Sequence, residues 1–142
     1  MSKADLLLTL QRGDLVLQGQ FLHGSNYTFL GLITDGDQSL KVVYKPRRGE
    51  QPLWDFREGT LTHREVAAYL VSEALGWDLV PPTVYRRGGP LGPGSVQFYV
   101  EHDVEYHYFN FSEADRERLR PVVLFDLLIN NLLVFILFGI NL

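Results

Sequence analysis

At 142 residues, 46% of them hydrophobic, the chain can bury one core. Its formal net charge of −4 argues against a nucleic-acid footprint, and the lack of cysteine excludes disulfides and thiolate metal sites. Behind Met1-Ser2-Lys3-Ala4-Asp5, the run Leu6-Leu7-Leu8 is too short for the apolar core of a secretion signal, so a cytoplasmic protein is expected.

The first half reads as strands. Leu15 to Leu22 and Tyr27 to Thr34 form a hairpin pair rich in β-branched and aromatic residues, with Gly24, Ser25 and Asn26 in the turn. Asp35-Gly36-Asp37 makes a second turn, since Asp-Gly is a strong hairpin signal. Ser39 to Lys45 is the third strand, and Pro46 ends it because proline lacks the ladder donor. A polar connector carrying Trp54 and Phe56 leads to a helix over Thr62 to Leu75. Thr62-His63-Arg64-Glu65 has the form of a capping box, and Gly76 stands where a helix-ending glycine belongs. Val66, Ala67, Tyr69, Leu70, Ala74 and Leu75 supply the expected packed face. Val80 to Tyr85 enters a strand, and after the glycine-rich turn 88–94 the residues Val96, Phe98 and Val100 alternate with polar neighbours in another. Ser112-Glu113-Ala114-Asp115 opens a final helical stretch in which Pro121 forces a kink or a new start.

Lys45 is the residue with the clearest chemistry. Side chains alternate along a strand, so Val43 and Lys45 share one face, and Val42 and Tyr44 share the other. A lysine on an inner face is costly unless an anion meets it. Glu65 could be that anion, or a phosphate could lie under His23-Gly24-Ser25-Asn26. Glu65 is also the third residue after Thr62, where its carboxylate would serve the capping box instead. Glycine-bearing hairpin, strand lysine, helix glutamate is the order of a kinase small lobe. No Gly-x-x-x-x-Gly-Lys-Ser/Thr loop is present, so the P-loop class is excluded. Glu101, His102, Asp103, Glu105 and His107 follow a strand and read as a solvated loop rather than a metal site.

The wording is more specific than the order. The series comprises His23-Gly24-Ser25-Asn26-Tyr27-Thr28-Phe29, Val43-Tyr44-Lys45-Pro46-Arg47-Arg48-Gly49-Glu50, Leu53-Trp54-Asp55-Phe56 and Arg64-Glu65-Val66-Ala67-Ala68-Tyr69. It continues with Trp77-Asp78-Leu79-Val80-Pro81-Pro82-Thr83 and Phe125-Asp126-Leu127-Leu128-Ile129-Asn130-Asn131. Together these segments, between residues 10 and 131, resemble the phosphatidylinositol 3-/4-kinase-like proteins of actinobacteria and related groups. The resemblance implies an α+β fold: a protein-kinase-like small lobe over residues 1–103, the start of a large lobe over 104–131, and an apolar tail over 132–142. It implies ATP as ligand, with Lys45 on the phosphates, Glu65 holding Lys45, and Gly24, Ser25 and Asn26 facing the phosphates. The strand from Val96 to Val100 would lead to the adenine-bordering hinge. Mg²⁺ would serve an intact family member. The phosphoryl acceptor is left open.

After Asn131 such proteins continue into an Asp-Arg catalytic loop, then metal-binding residues. Here the sequence runs Leu132 to Leu142 without a charge. The expected explanation is a truncated or frameshifted product without catalytic residues, able to self-associate through the tail. Those 11 residues fall short of the ~20 that cross a bilayer. Two other functions fit the same elements: a serine/threonine kinase of the toxin-antitoxin type, and a non-catalytic module docking through the tail.

Overall fold

A computed structural model describes residues 1–21, 27–50, 57, 59–103 and 105–129. Its strands are β1 (Asp14–Gln20), β2 (Phe29–Asp35), β3 (Gln38–Pro46), β4 (Thr83–Arg86) and β5 (Gly94–Phe98). Its α-helices are α1 (Lys3–Arg12), α2 (Leu61–Leu75), α3 (Glu113–Arg118) and α4 (Arg120–Ile129). The strands form one antiparallel sheet in the order β1-β2-β3-β5-β4, so the architecture is α+β. Asp35 pairs with Gln38 across the two-residue turn Gly36-Asp37. Gly36 there has φ +58°, a conformation that glycine adopts without strain. β5 starts at Gly94, two residues earlier than the alternation suggests, and ends at Phe98. A Cβ on Gly94 would stand 2.4 Å from the Lys45 carbonyl oxygen, so only glycine lets β5 come this close to β3.

The N-terminal helix is an element that the strand-dominated reading of the first half did not contain. Its signal was Ser2-x-x-Asp5. The Ser2 hydroxyl accepts from the Asp5 amide at 3.1 Å, and the Asp5 carboxylate accepts from the Ser2 amide at 3.2 Å. The Ser2 hydrogen bonds hold the Asp5 carboxyl below the ordinary carboxylate range. Leu6 and Leu10 then fall on one side of α1 and pack on the sheet, where Leu10 joins Ile33, Val42, Tyr44 and Val96 in a fully buried cluster. Each such aliphatic side chain contributes about 1.5–3 kcal/mol on burial. At the other end of α1, the Arg86 guanidinium donates to the carbonyls of Leu10 and Gly13 at 3.3 and 2.8 Å, satisfying acceptors that a helix end leaves open.

Helix α2 differs from its expected start. Thr60, not Thr62, is the residue before the helix, and its side chain makes no capping bond there. Glu50 does the work from outside the helix. Its carboxylate accepts from the amides of Leu61 and Thr62 at 3.3 and 2.8 Å, and from the Thr62 hydroxyl. With the first turn satisfied by a distant carboxylate, the helix begins one residue early, and Glu65 sits too far along it to close a box. The C-terminus is as expected. Gly76 is left-handed at φ +65°, and the amides of Gly76 and Trp77 bond back to Glu73 and Ser72 at 3.0 and 3.1 Å. The packed face also differs: Thr62, Ala68, Tyr69 and Ser72 are buried, whereas Ala67, Leu70, Ala74 and Leu75 are exposed. Polar anchors at Thr62 and Ser72 share the buried side with Ala68 and Tyr69. The Ser72 hydroxyl accepts from the amides of Leu79 and Val80 at 2.8 and 3.3 Å.

The chain breaks between α3 and α4 at Leu119, with Pro121 in the first turn of α4 as a proline tolerates. Ser112 caps α3 by accepting from the Asp115 amide at 3.2 Å. Phe125 of α4 is fully buried with Ala68, Tyr69 and Val80, and its ring lies 6.2 Å from that of Trp77. Among the described residues no helix is long and apolar enough to cross a membrane.

Candidate functional site

The sheet register determines which groups meet. Lys45 pairs with Ser95, Val43 with Gln97, and Gln97 with Thr83, so these side chains share one face. On it, Lys45 Nζ lies 2.8 Å from Glu65 Oε1, and the Ser95 hydroxyl donates to Glu65 Oε2 at 2.6 Å. Both carboxylate oxygens are therefore occupied, one by β3 and one by β5. The side chains of Lys45 and Glu65 are only 15% and 18% exposed. Such a pair contributes modestly to net stability, because desolvation offsets most of the Coulomb attraction. What it does secure is geometry: it orients an ammonium group on an inner sheet face.

Of the two roles open to Glu65, the structure places the carboxylate on Lys45, not at the helix start. Glu50 and Ser95 are the residues that motif reading missed. Ser95 was findable, since any β3–β5 pairing that puts Tyr44 opposite Val96 puts Ser95 beside Lys45. Glu50 left no local signal, because it acts across a gap of 12 residues.

A second polar chain continues along the face. Gln97 Nε2 donates to the Thr83 hydroxyl at 2.9 Å, and that hydroxyl donates to the Pro81 carbonyl at 2.8 Å. Thr83, Ser95 and Gln97 are all buried. Gly24, Ser25 and Asn26 lie outside the described residues, as do Trp54, Phe56 and the tail 132–142.

Elsewhere, Glu101 pairs with Lys41 at 2.5 Å, His102 Nδ1 lies 3.2 Å from the Val100 carbonyl, and Asp103 accepts from the Glu105 amide at 2.9 Å. These are local contacts of an exposed loop. Among the described residues no three His, Cys, Asp or Glu side chains gather to hold a metal. Asp126, on α4, has one carboxylate oxygen buried without a hydrogen-bond partner among the described residues, and burial pushes its carboxyl upward.

Neither protein-family models nor solved structures give a match to this chain. The chain is 39% identical over 154 residues to Protein Rv2133c of Mycobacterium tuberculosis (strain ATCC 25618 / H37Rv). The match covers 84% of this chain and 55% of that protein, so the chain spans about half the length of the curated relative it matches.

Proposed function

We propose that this chain is the ATP-binding small lobe of a phosphotransferase of the phosphatidylinositol 3-/4-kinase-like type. The observation that carries the reading is the Lys45–Glu65 ion pair, made between the third strand and the following helix and buttressed by Ser95. A lysine held this way suits phosphate oxygens. It presents donors on a face walled by buried polar groups, and its glutamate partner keeps it extended while ATP is absent. Phosphoryl transfer depends on such positioning more than on covalent chemistry.

The residues fit ATP in a defined division of labour. Lys45 neutralises the phosphates, Glu65 orients Lys45, and Ser95 orients Glu65. Bound Mg²⁺ would neutralise phosphate charge, and the groups that hold it and orient the acceptor hydroxyl belong beyond Asn131. Residues 132–142 carry no charged side chain. Lipid and protein hydroxyls are both admissible acceptors for an intact family member.

Isothermal titration calorimetry with ATP tests this. Lys45→Met should abolish the binding that the unmodified chain shows, and Glu65→Gln should weaken it, since an amide oxygen accepts from the ammonium without the opposite charge that holds it. ATP binding by Lys45→Met at wild-type affinity would sink the assignment.

A further inference from the structure

A cleft of about 680 Å³ lies between α1, α2 and β4, and its lining includes none of Lys45, Glu65 and Ser95. That volume is within the ~300–1,000 Å³ typical of ligand sites. Its apolar part comes from three elements, with Leu7 on α1, Val66 and Leu70 on α2, and Val84 on β4. Leu70 is 58% exposed.

The charge of the lining is one-sided. Arg12 ends α1 and Arg87 follows β4. Both are exposed, and neither has an ion pair or hydrogen bond among the described residues. Among the described residues no carboxylate lines the cleft, although the chain carries 17 acidic against 13 basic residues. Two unpaired guanidinium groups beside aliphatic side chains call for a ligand that is both anionic and apolar.

The backbone adds a third requirement. β4 is an edge strand. The Phe98 amide donates to the Pro82 carbonyl at 2.9 Å, so hydrogen-bonded pairs recur at Val84 and Arg86. The amide and carbonyl of Tyr85 therefore point away from β5, on the side where the cleft runs, and Tyr85 is only half-buried. An open strand edge is a template for an extended chain. A simple anion would use the arginines and leave the aliphatic groups bare. An acidic peptide with aliphatic side chains uses all three features.

We propose that this cleft is a docking site for an extended acidic peptide segment bearing aliphatic anchors, laid along β4 with its carboxylates on Arg12 and Arg87. The cleft borders the Lys45 face at Thr83 but includes none of Lys45, Glu65 and Ser95, and its occupancy does not require nucleotide.

The test uses the full chain and an array of fluorescein-labelled ten-residue peptides, each with three Asp or Glu and two Leu in every spacing. Fluorescence anisotropy should show saturable, salt-sensitive binding of one or more peptides at micromolar concentration. The Arg12→Glu/Arg87→Glu double variant and Leu70→Asp should each weaken it by at least about tenfold. Arg12→Gln/Arg87→Gln serves if the reversed charges disturb folding, which thermal unfolding followed by circular dichroism checks. Lys45→Met should bind the peptide unchanged, which separates this site from the nucleotide reading. The inference is overturned if no peptide saturates, if the arginine variants bind as tightly, or if peptides with Lys in place of the acids bind equally. It is also overturned if inorganic phosphate or phosphatidylserine vesicles displace the peptide at concentrations comparable to the peptide's own, since the cleft would then read charge alone.

Discussion

The two faces of the sheet are built on opposite plans. One face carries Val42, Tyr44 and Val96, sealed by Ile33 and by Leu10 of α1. The other carries Lys45, Ser95, Gln97 and Thr83, buried or nearly so, with every polar side chain tied to a partner. Adjacent residues of one strand thus belong to two environments, because side chains alternate while the backbone ladder is shared. The apolar face holds the sheet together through transfer of surface from water. The polar face adds little net stability, since desolvation of its charges cancels most of their attraction. A polar inner face with a net-neutral pair is expensive to build. The difference teaches that an apolar core and a buried polar network are separated here by a shift of one residue along β3.

Tyr44→Ala should show the largest effect. Tyr44 is fully buried, its hydroxyl donates to the Gly92 carbonyl at 2.6 Å, and burial pushes its phenol upward. Removing the ring should cost about 3–5 kcal/mol in urea unfolding, a large share of a small domain's stability. A loss below about 1 kcal/mol would contradict the assignment of this face as the core.

On the opposite face the expected pattern is non-additive. Lys45→Met leaves Glu65 with one bond to Ser95, and Glu65→Leu leaves Lys45 without its carboxylate, so each single change should cost roughly 1–3 kcal/mol. The double variant should return to within about 1 kcal/mol of the unmodified chain, because the paired desolvation cost disappears with the pair. Additive losses in a double-mutant cycle would mean that the two side chains are not coupled, and a double variant as unstable as the worse single variant would mean that the pair is a net stabiliser.

The smallest effect is a pH dependence at Asp126. Burial raises its carboxyl in the folded state, so folding favours the protonated form. Its contribution is favourable at pH below the unfolded pKa and is lost as pH rises through the raised folded value. Asp126→Asn should therefore raise the melting temperature at pH 7 and change it little at pH 3. A variant less stable than the parent at pH 7 would show that the carboxylate is charged and engaged.

Several parts of this fold were legible in the residues themselves. The Asp35-Gly36-Asp37 turn, the end of α2 at Gly76 and the new start near Pro121 follow from backbone restrictions that act within a few residues. The two faces of β3 follow from alternation alone. The capping box at Ser2 and Asp5 was equally local, and reading the first half by strand propensity passed over it.

Other parts depended on contacts between distant segments, which no local pattern encodes. Thr62 and Glu65 match a capping box in spacing, yet Glu50 occupies the helix start and leaves Glu65 to Lys45. The exposed row of Ala67, Leu70 and Ala74 had the helical period of a core face, but periodicity says only that residues share a side, not which side is covered. By itself the sequence determined where the elements turn, where they stop and which strand positions share a face. The tertiary structure alone decided which carboxylate meets Lys45, because an ion pair forms between side chains that the sheet register and a helix cap bring within 2.8 Å, and both act across the chain.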